Sequence, residues 1–185
     1  MAWVADGRFG LAAAPPGTLL VGHYLGVLGI PLYALGYRAL GVWIADAAPR
    51  AARWVCGLGV VGAVVGAVIH GLTGTLIAVA IRTGTPAAPD ALPAIPEAAY
   101  LLPLWLLVAT ALALGSVVLA VAIARGSTRF PRGLAVCTPL VSTIAMTALA
   151  MPFPLAAAFV IPAAPNLAHV VLFAAVLVVG RRRDR

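Results

Sequence analysis

Residues 54–81 read WVCGLGVVGAVVGAVIHGLTGTLIAVAI, an apolar run bounded by Arg53 and Arg82 with no charge inside it. An α-helix rises 1.5 Å per residue, so the run exceeds the ~20 residues that cross a hydrocarbon core of ~30 Å. It lacks the alternation of apolar and polar positions that a barrel strand requires. The run therefore reads as a membrane-spanning helix. Within it, Gly59, Gly62, Gly66, His70 and Thr73 recur every three or four residues and share one helix face. Gly62 and Gly66 form a small-xxx-small pair, which lets another helix approach closely. His70 shares that face, so it points into a bundle rather than into lipid.

The rest of the chain repeats this character. Of its 185 residues 63% are hydrophobic and 9% charged, against about 25% charged in soluble domains. So little polar surface cannot coat a water-soluble globule. The expected class is all-α, a polytopic transmembrane helix bundle in a single domain, residues 1–185. Five spans are expected, at about 18–43, 54–81, 97–124, 133–150 and 155–180. Pro15 and Pro16 open the first span, and Pro31 inside it predicts a kink near Val27–Gly29. Pro86, Pro89, Pro93 and Pro96 predict an irregular loop before the third span. Residues 151–165 are apolar but broken by Pro152, Pro154, Pro162 and Pro165. They read either as a short interfacial helix or as the kinked start of the last span.

Charge orients the bundle. All twelve basic residues are arginines. Arg38, Arg50, Arg53, Arg125, Arg129, Arg132, Arg181, Arg182, Arg183 and Arg185 fall on one side of the expected spans, and only Arg8 and Arg82 on the other. The positive-inside rule then places the C-terminus in the cytoplasm, the N-terminus outside, and the protein in the cell inner membrane. No basic groove interleaved with aromatics is present, which argues against nucleic acid as a partner. Cys56 and Cys137 lie near cytoplasmic helix ends, where a disulfide is not expected. Met1–Phe9 lacks the basic and apolar regions of a cleavable signal peptide.

The stretches GHYLGVLGIPLYALGYRALG (22–41), GAVVGAVIHGLTGTL (62–76) and PNLAH (165–169) resemble a group of uncharacterised bacterial multi-pass membrane proteins, domain-of-unknown-function family 6796. The resemblance covers most of the chain. It implies a helical bundle, usually with one more N-terminal helix than is found here, and no activity. The segment AWVADGRFG (2–10) reads as the end of such a helix followed by a loop. A first helix missing in this way would leave a gap that a homo-oligomer could fill.

The candidate site comes from the scarce polar residues. His70 and His169, with Glu97, are the candidate catalytic groups; His23, Tyr33, Tyr100 and Asn166 are candidate ligand-binding groups. His23, Gly26, Ile30, Tyr33 and Tyr37 fall within roughly a 90° sector of the first span. Asn166 and His169 share a face, and Asn166 after Pro165 also suits a helix cap. Glu97, the only glutamate, suits the start of a helix, where a carboxylate complements the dipole. Paired with a histidine it could also serve as an acid or base. Thr138, Ser142 and Thr147 read as hydroxyls bonded to their own backbone.

On the expected topology His23, His70, Glu97, Tyr100, Thr147, Asn166 and His169 all sit in the outer half and converge on one cavity. Three functions follow. The first is a pocket for a small apolar or lipid-like ligand, with acid/base chemistry as an option. The second is a structural or assembly subunit whose histidines only fix helix packing. The third is a metal or haem site, which no HxxxH or HxxE spacing supports. No cofactor is expected, and the expected partners are the bilayer, the ligand and a second copy of the chain. Transport is disfavoured, because no inverted repeat is visible.

Overall fold

A computed structural model describes residues 16–82 and 100–183. The described residues form α-helices, 3₁₀ segments and short turns, with no strand among them. The helices are α1 (Pro16–Gly29), α2 (Leu32–Ala45), α3 (Pro49–Arg82), α4 (Leu102–Ala124), α5 (Pro139–Ala150) and α6 (Pro154–Arg183). Four segments are long and apolar enough to cross a membrane: Val21–Ala45, Pro49–Leu76, Leu102–Ala124 and Ala163–Gly180. The fourth expected span is shorter than its sequence suggested. Arg132–Cys137 is a 3₁₀ turn, Thr138 is extended (ψ 148°), and Pro139 restarts the chain as a helix of 12 residues. That helix is roughly 18 Å long, short of a full crossing.

Proline chemistry sets the breaks. Pro31 has no N–H to give the preceding turn, so α1 ends at Gly29 and α2 begins at Leu32. The joint closes with i−3 bonds, Tyr33 N–H to the Ile30 carbonyl and Ala34 N–H to that of Pro31, both 3.0 Å. The expected kink is thus present, just beyond Gly29. At the other end of the chain Pro154 starts α6, which runs unbroken through Pro162 and Pro165 to Arg183. Residues 154–165 are therefore the early turns of the last helix, the second of the two readings. The third span begins as a helix at Leu102, with Pro103 in its first turn.

Helices α1 and α2 run in one direction and α3 returns against them, and three close approaches define one end of the bundle. Trp43 packs against Phe130, the Trp43 ring lies over Gly180, and Arg129 forms an ion pair with Asp46 at 2.9 Å. The α2–α3 turn, the loop after α4 and the end of α6 therefore meet, and Arg50, Arg53, Arg125, Arg129 and Arg132 cluster there. The loop after α4 starts with Gly126 at φ +70°. Its N–H bonds Ile123 and the next N–H, of Ser127, bonds Ala122, which is a Schellman stop. The dry core fills this end: Leu40, Ile44, Val55, Leu119, Ile123, Leu172 and Val176 pack together.

Helices α1 and α2 lie antiparallel along the glycine face of α3. The Tyr37 ring covers Gly59, Ile30 covers Gly66, His70 covers Gly26, and His23 covers Gly74. Gly57, off that face, has nothing within 4 Å of where a Cβ would stand. Gly59→Ala should therefore destabilise the bundle by about 1–3 kcal/mol through overpacking under Tyr37. Gly57→Ala should stay within about 1 kcal/mol of wild type, as its helix propensity allows. Reversible unfolding in mixed micelles measures both, and equal losses would contradict the packing described.

Candidate functional site

Beyond the dry core, toward the far end of the bundle, the helices enclose a cavity of ≈ 210 Å³. A cavity of roughly 150 Å³ is enough to take benzene. Its walls come from α2, the glycine face of α3, α4 and the middle of α6. Glycine is what makes the space. Gly62 lines it with nothing within 4 Å of its Cβ position, and Gly66 meets only Ile30 and Val108. Most of the remaining wall is apolar, with Leu58, Ile69, Val108 and Leu112 among its residues.

Polar groups enter at two levels. The inner level is built on His169, which is buried. Its Nδ1 lies 2.7 Å from the Pro165 carbonyl, one turn back on α6. A carbonyl only accepts, so Nδ1 carries the hydrogen. Nε2 of the neutral ring is then an acceptor, and the Tyr37 hydroxyl donates to it at 3.0 Å. Tyr33 stacks flat on the same imidazole, with centroids 4.5 Å apart and planes within 1°. The Tyr33 hydroxyl donates to Asn166 Oδ1 at 3.4 Å, a long bond. Phe173 completes the cluster against the edge of Tyr37 and fills the notch at Gly36.

The outer level is built on His70 and Thr73 of α3. His70 stacks on His23 of α1, with centroids 5.8 Å apart and planes 15° apart. Each ring fills the other helix's glycine notch. Three atoms here are buried without a hydrogen-bond partner among the described residues: His23 Nδ1, His70 Nε2 and Thr73 Oγ1. His70 Nε2 is turned to Gly26, and His70 and Thr73 both line the cavity.

Of the seven residues expected to converge, three, His70, Asn166 and His169, line one cavity, together with the ligand-binding candidate Tyr33. His23 stands behind His70 rather than on the wall. Tyr100 is 79% exposed, before α4, and Thr147 is on α5; neither lines the cavity. Glu97 lies outside the described residues. The three imidazoles do not meet at a point. His70 faces Gly26, whereas His169 faces Tyr33 and Tyr37, seven to eleven residues further along, or roughly 10–16 Å. Such spacing cannot form one ligand shell, and among the described residues no three His, Cys, Asp or Glu side chains gather as a metal site.

Tyr37 and Trp105 line the cavity without having been candidates. Tyr37 was readable, standing one turn after Tyr33 on the histidine-bearing face. Trp105 was not, because α4 is apolar on all sides. The hydroxyls around the start of α5 behave as expected at two positions: Thr138 Oγ1 donates to the Ala135 carbonyl and Ser142 Oγ to that of Val136.

Over residues 9–182 the chain matches the Family of unknown function (DUF6796) and belongs to it. No curated protein and no solved structure matches it.

Tyr37→Phe removes the donor to His169 Nε2 and should cost about 1–2 kcal/mol. In nitrogen-15 spectra of the wild type, His169 should carry its hydrogen on Nδ1, with Nε2 alone shifting in the variant. A wild-type ring protonated on Nε2 instead would overturn the assignment.

Proposed function

We propose that the protein is a multi-pass inner-membrane protein that holds a small apolar or lipid-like molecule within the bundle. The observation that carries this reading is the cavity itself, an apolar slot kept open by Gly62 and Gly66 with polar groups at two levels. Thr73 offers a hydroxyl without a hydrogen-bond partner among the described residues at the outer level, beside His70. Asn166 offers its amide N–H groups at the inner level, since its Oδ1 is taken by Tyr33. A molecule with an apolar body and one or two oxygen acceptors matches this pattern, as few polar groups in an apolar wall set orientation and specificity.

Binding is favoured over acid/base chemistry at His169, because both its nitrogens are already engaged. A second reading has an observation of its own. The reciprocal seating of His23 and His70 on Gly74 and Gly26 also suits histidines that only fix the register of α1 against α3, as a structural subunit would need.

Gly62→Leu separates the two readings, because Gly62 lines the cavity and nothing stands within 4 Å of where its Cβ would be. Native mass spectrometry of protein purified in mild detergent should show a retained small molecule. That molecule should be lost in Gly62→Leu and kept in Gly57→Leu, with both variants folded. A wild type that retains nothing, or a Gly62→Leu variant that retains as much, would leave the structural reading standing.

The proposal includes the orientation read from the arginines, with the basic end in the cytoplasm. A periplasm-dependent phosphatase fused after Arg183 should be inactive, and one inserted after Arg82 active. The reverse pattern would invert the topology.

A further inference from the structure

The basic end carries a second groove, whose lining residues are distinct from those of the cavity and which is independent of the function proposed for it. The start of α3 and the end of α4 enclose a volume of ≈ 570 Å³ there. Its apolar part is formed by Trp54, Val117 and Val121, which are 61%, 49% and 40% exposed. Its polar rim is Arg50, Arg125 and Ser127. Both arginines are exposed, and neither has an ion-pair partner among the described residues; the nearby acid, Asp46, is taken by Arg129. The first turn of α3 has no acidic residue to offset its dipole. Arg53 adds another exposed positive charge one turn along.

Both walls belong to segments able to cross a membrane, so the apolar part of the groove stands at acyl-chain depth and the arginines at headgroup depth. We propose that one anionic glycerophospholipid occupies this groove, its acyl chain along Trp54, Val117 and Val121 and its phosphate between Arg50 and Arg125. Guanidinium and phosphate pair through forked, charge-assisted hydrogen bonds, and Ser127 can add a hydroxyl donor. Charge selects the lipid class. With the local positive charge uncompensated, a headgroup of net charge −1 is favoured over one that carries its own cation. A second copy of this chain would have to bury two guanidinium groups against a basic surface, which disfavours that occupant.

The test uses the full chain in mild detergent, titrated with phosphatidylglycerol and phosphatidylcholine of equal chain length and read by native mass spectrometry. Phosphatidylglycerol should bind about tenfold more tightly, and R50Q/R125Q should abolish the difference. The control R38Q/R132Q removes two arginines from the same end but outside the groove and should keep it. Glycerol phosphate, which has the anion but no chain, should not compete. Equal binding of the two lipids by the wild type would overturn the proposal. So would equal loss in the control variant, full competition by glycerol phosphate, or a dimer that excludes lipid from the groove.

Discussion

The bundle depends on the seating of the first two helices against a face of α3 that has almost no side chains. In an apolar solvent, burial of hydrocarbon gives helices little reason to associate, so close packing must supply the attraction. Here large side chains occupy spaces that glycine leaves. Tyr37 rests on Gly59, Ile30 on Gly66, His70 on Gly26 and His23 on Gly74. The residue numbers in each pair sum to nearly the same value, the signature of a single antiparallel register maintained along α3 from Gly59 to Gly74. The break at Pro31 falls inside this contact and lets two shorter helices follow the longer one.

The same glycines explain why a cavity exists. A face thin enough to admit a neighbour leaves a void wherever the neighbour does not fully fill it. Near the basic end the void is filled by Leu40, Ile44 and Val55 with α4 and α6 behind them. Along Gly62 and Gly66 it is not filled, because α6 approaches α2 there only through aromatic rings, Tyr33 and Tyr37 against His169 and Phe173. One end of the bundle is consequently closely packed and apolar, and the other is open with polar groups on its wall.

Much of this is legible in the chain. The glycine and histidine spacing in residues 59–73 marks the packing face, Pro31 marks the break, and the split of the arginines marks the end at which the loops gather. What the sequence conceals are contacts between distant segments. Nothing local says that His169 takes its donor from Tyr37, or that Trp105, on a helix apolar all round, faces the same space. The fourth span reads too long because residues 133–138 are as apolar as a helix, while Thr138 and Pro139 impose an extended step that hydropathy does not register. The expectation that the histidines converge rests on placing all three in one half of the bundle. Depth resolves that group into two levels, because residues seven to eleven positions apart cannot stand side by side however similar their surroundings.

The energetics of the His23–His70 pair bear on why those positions are histidine at all. A phenylalanine would fill a glycine notch with comparable area and no polar atom. Imidazole instead buries His23 Nδ1 and His70 Nε2 without partners, and each such atom costs about 1–3 kcal/mol. Lipid offers no relief, since hydrocarbon cannot hydrogen-bond. Packing alone would thus favour the aromatic hydrocarbon at both positions. The two imidazoles therefore carry a polar cost that packing does not offset, and of the two only His70 also lines the cavity. His169 differs in kind: with both nitrogens engaged it costs nothing of this sort, and it serves to hold Tyr33 and Tyr37 in place along the wall.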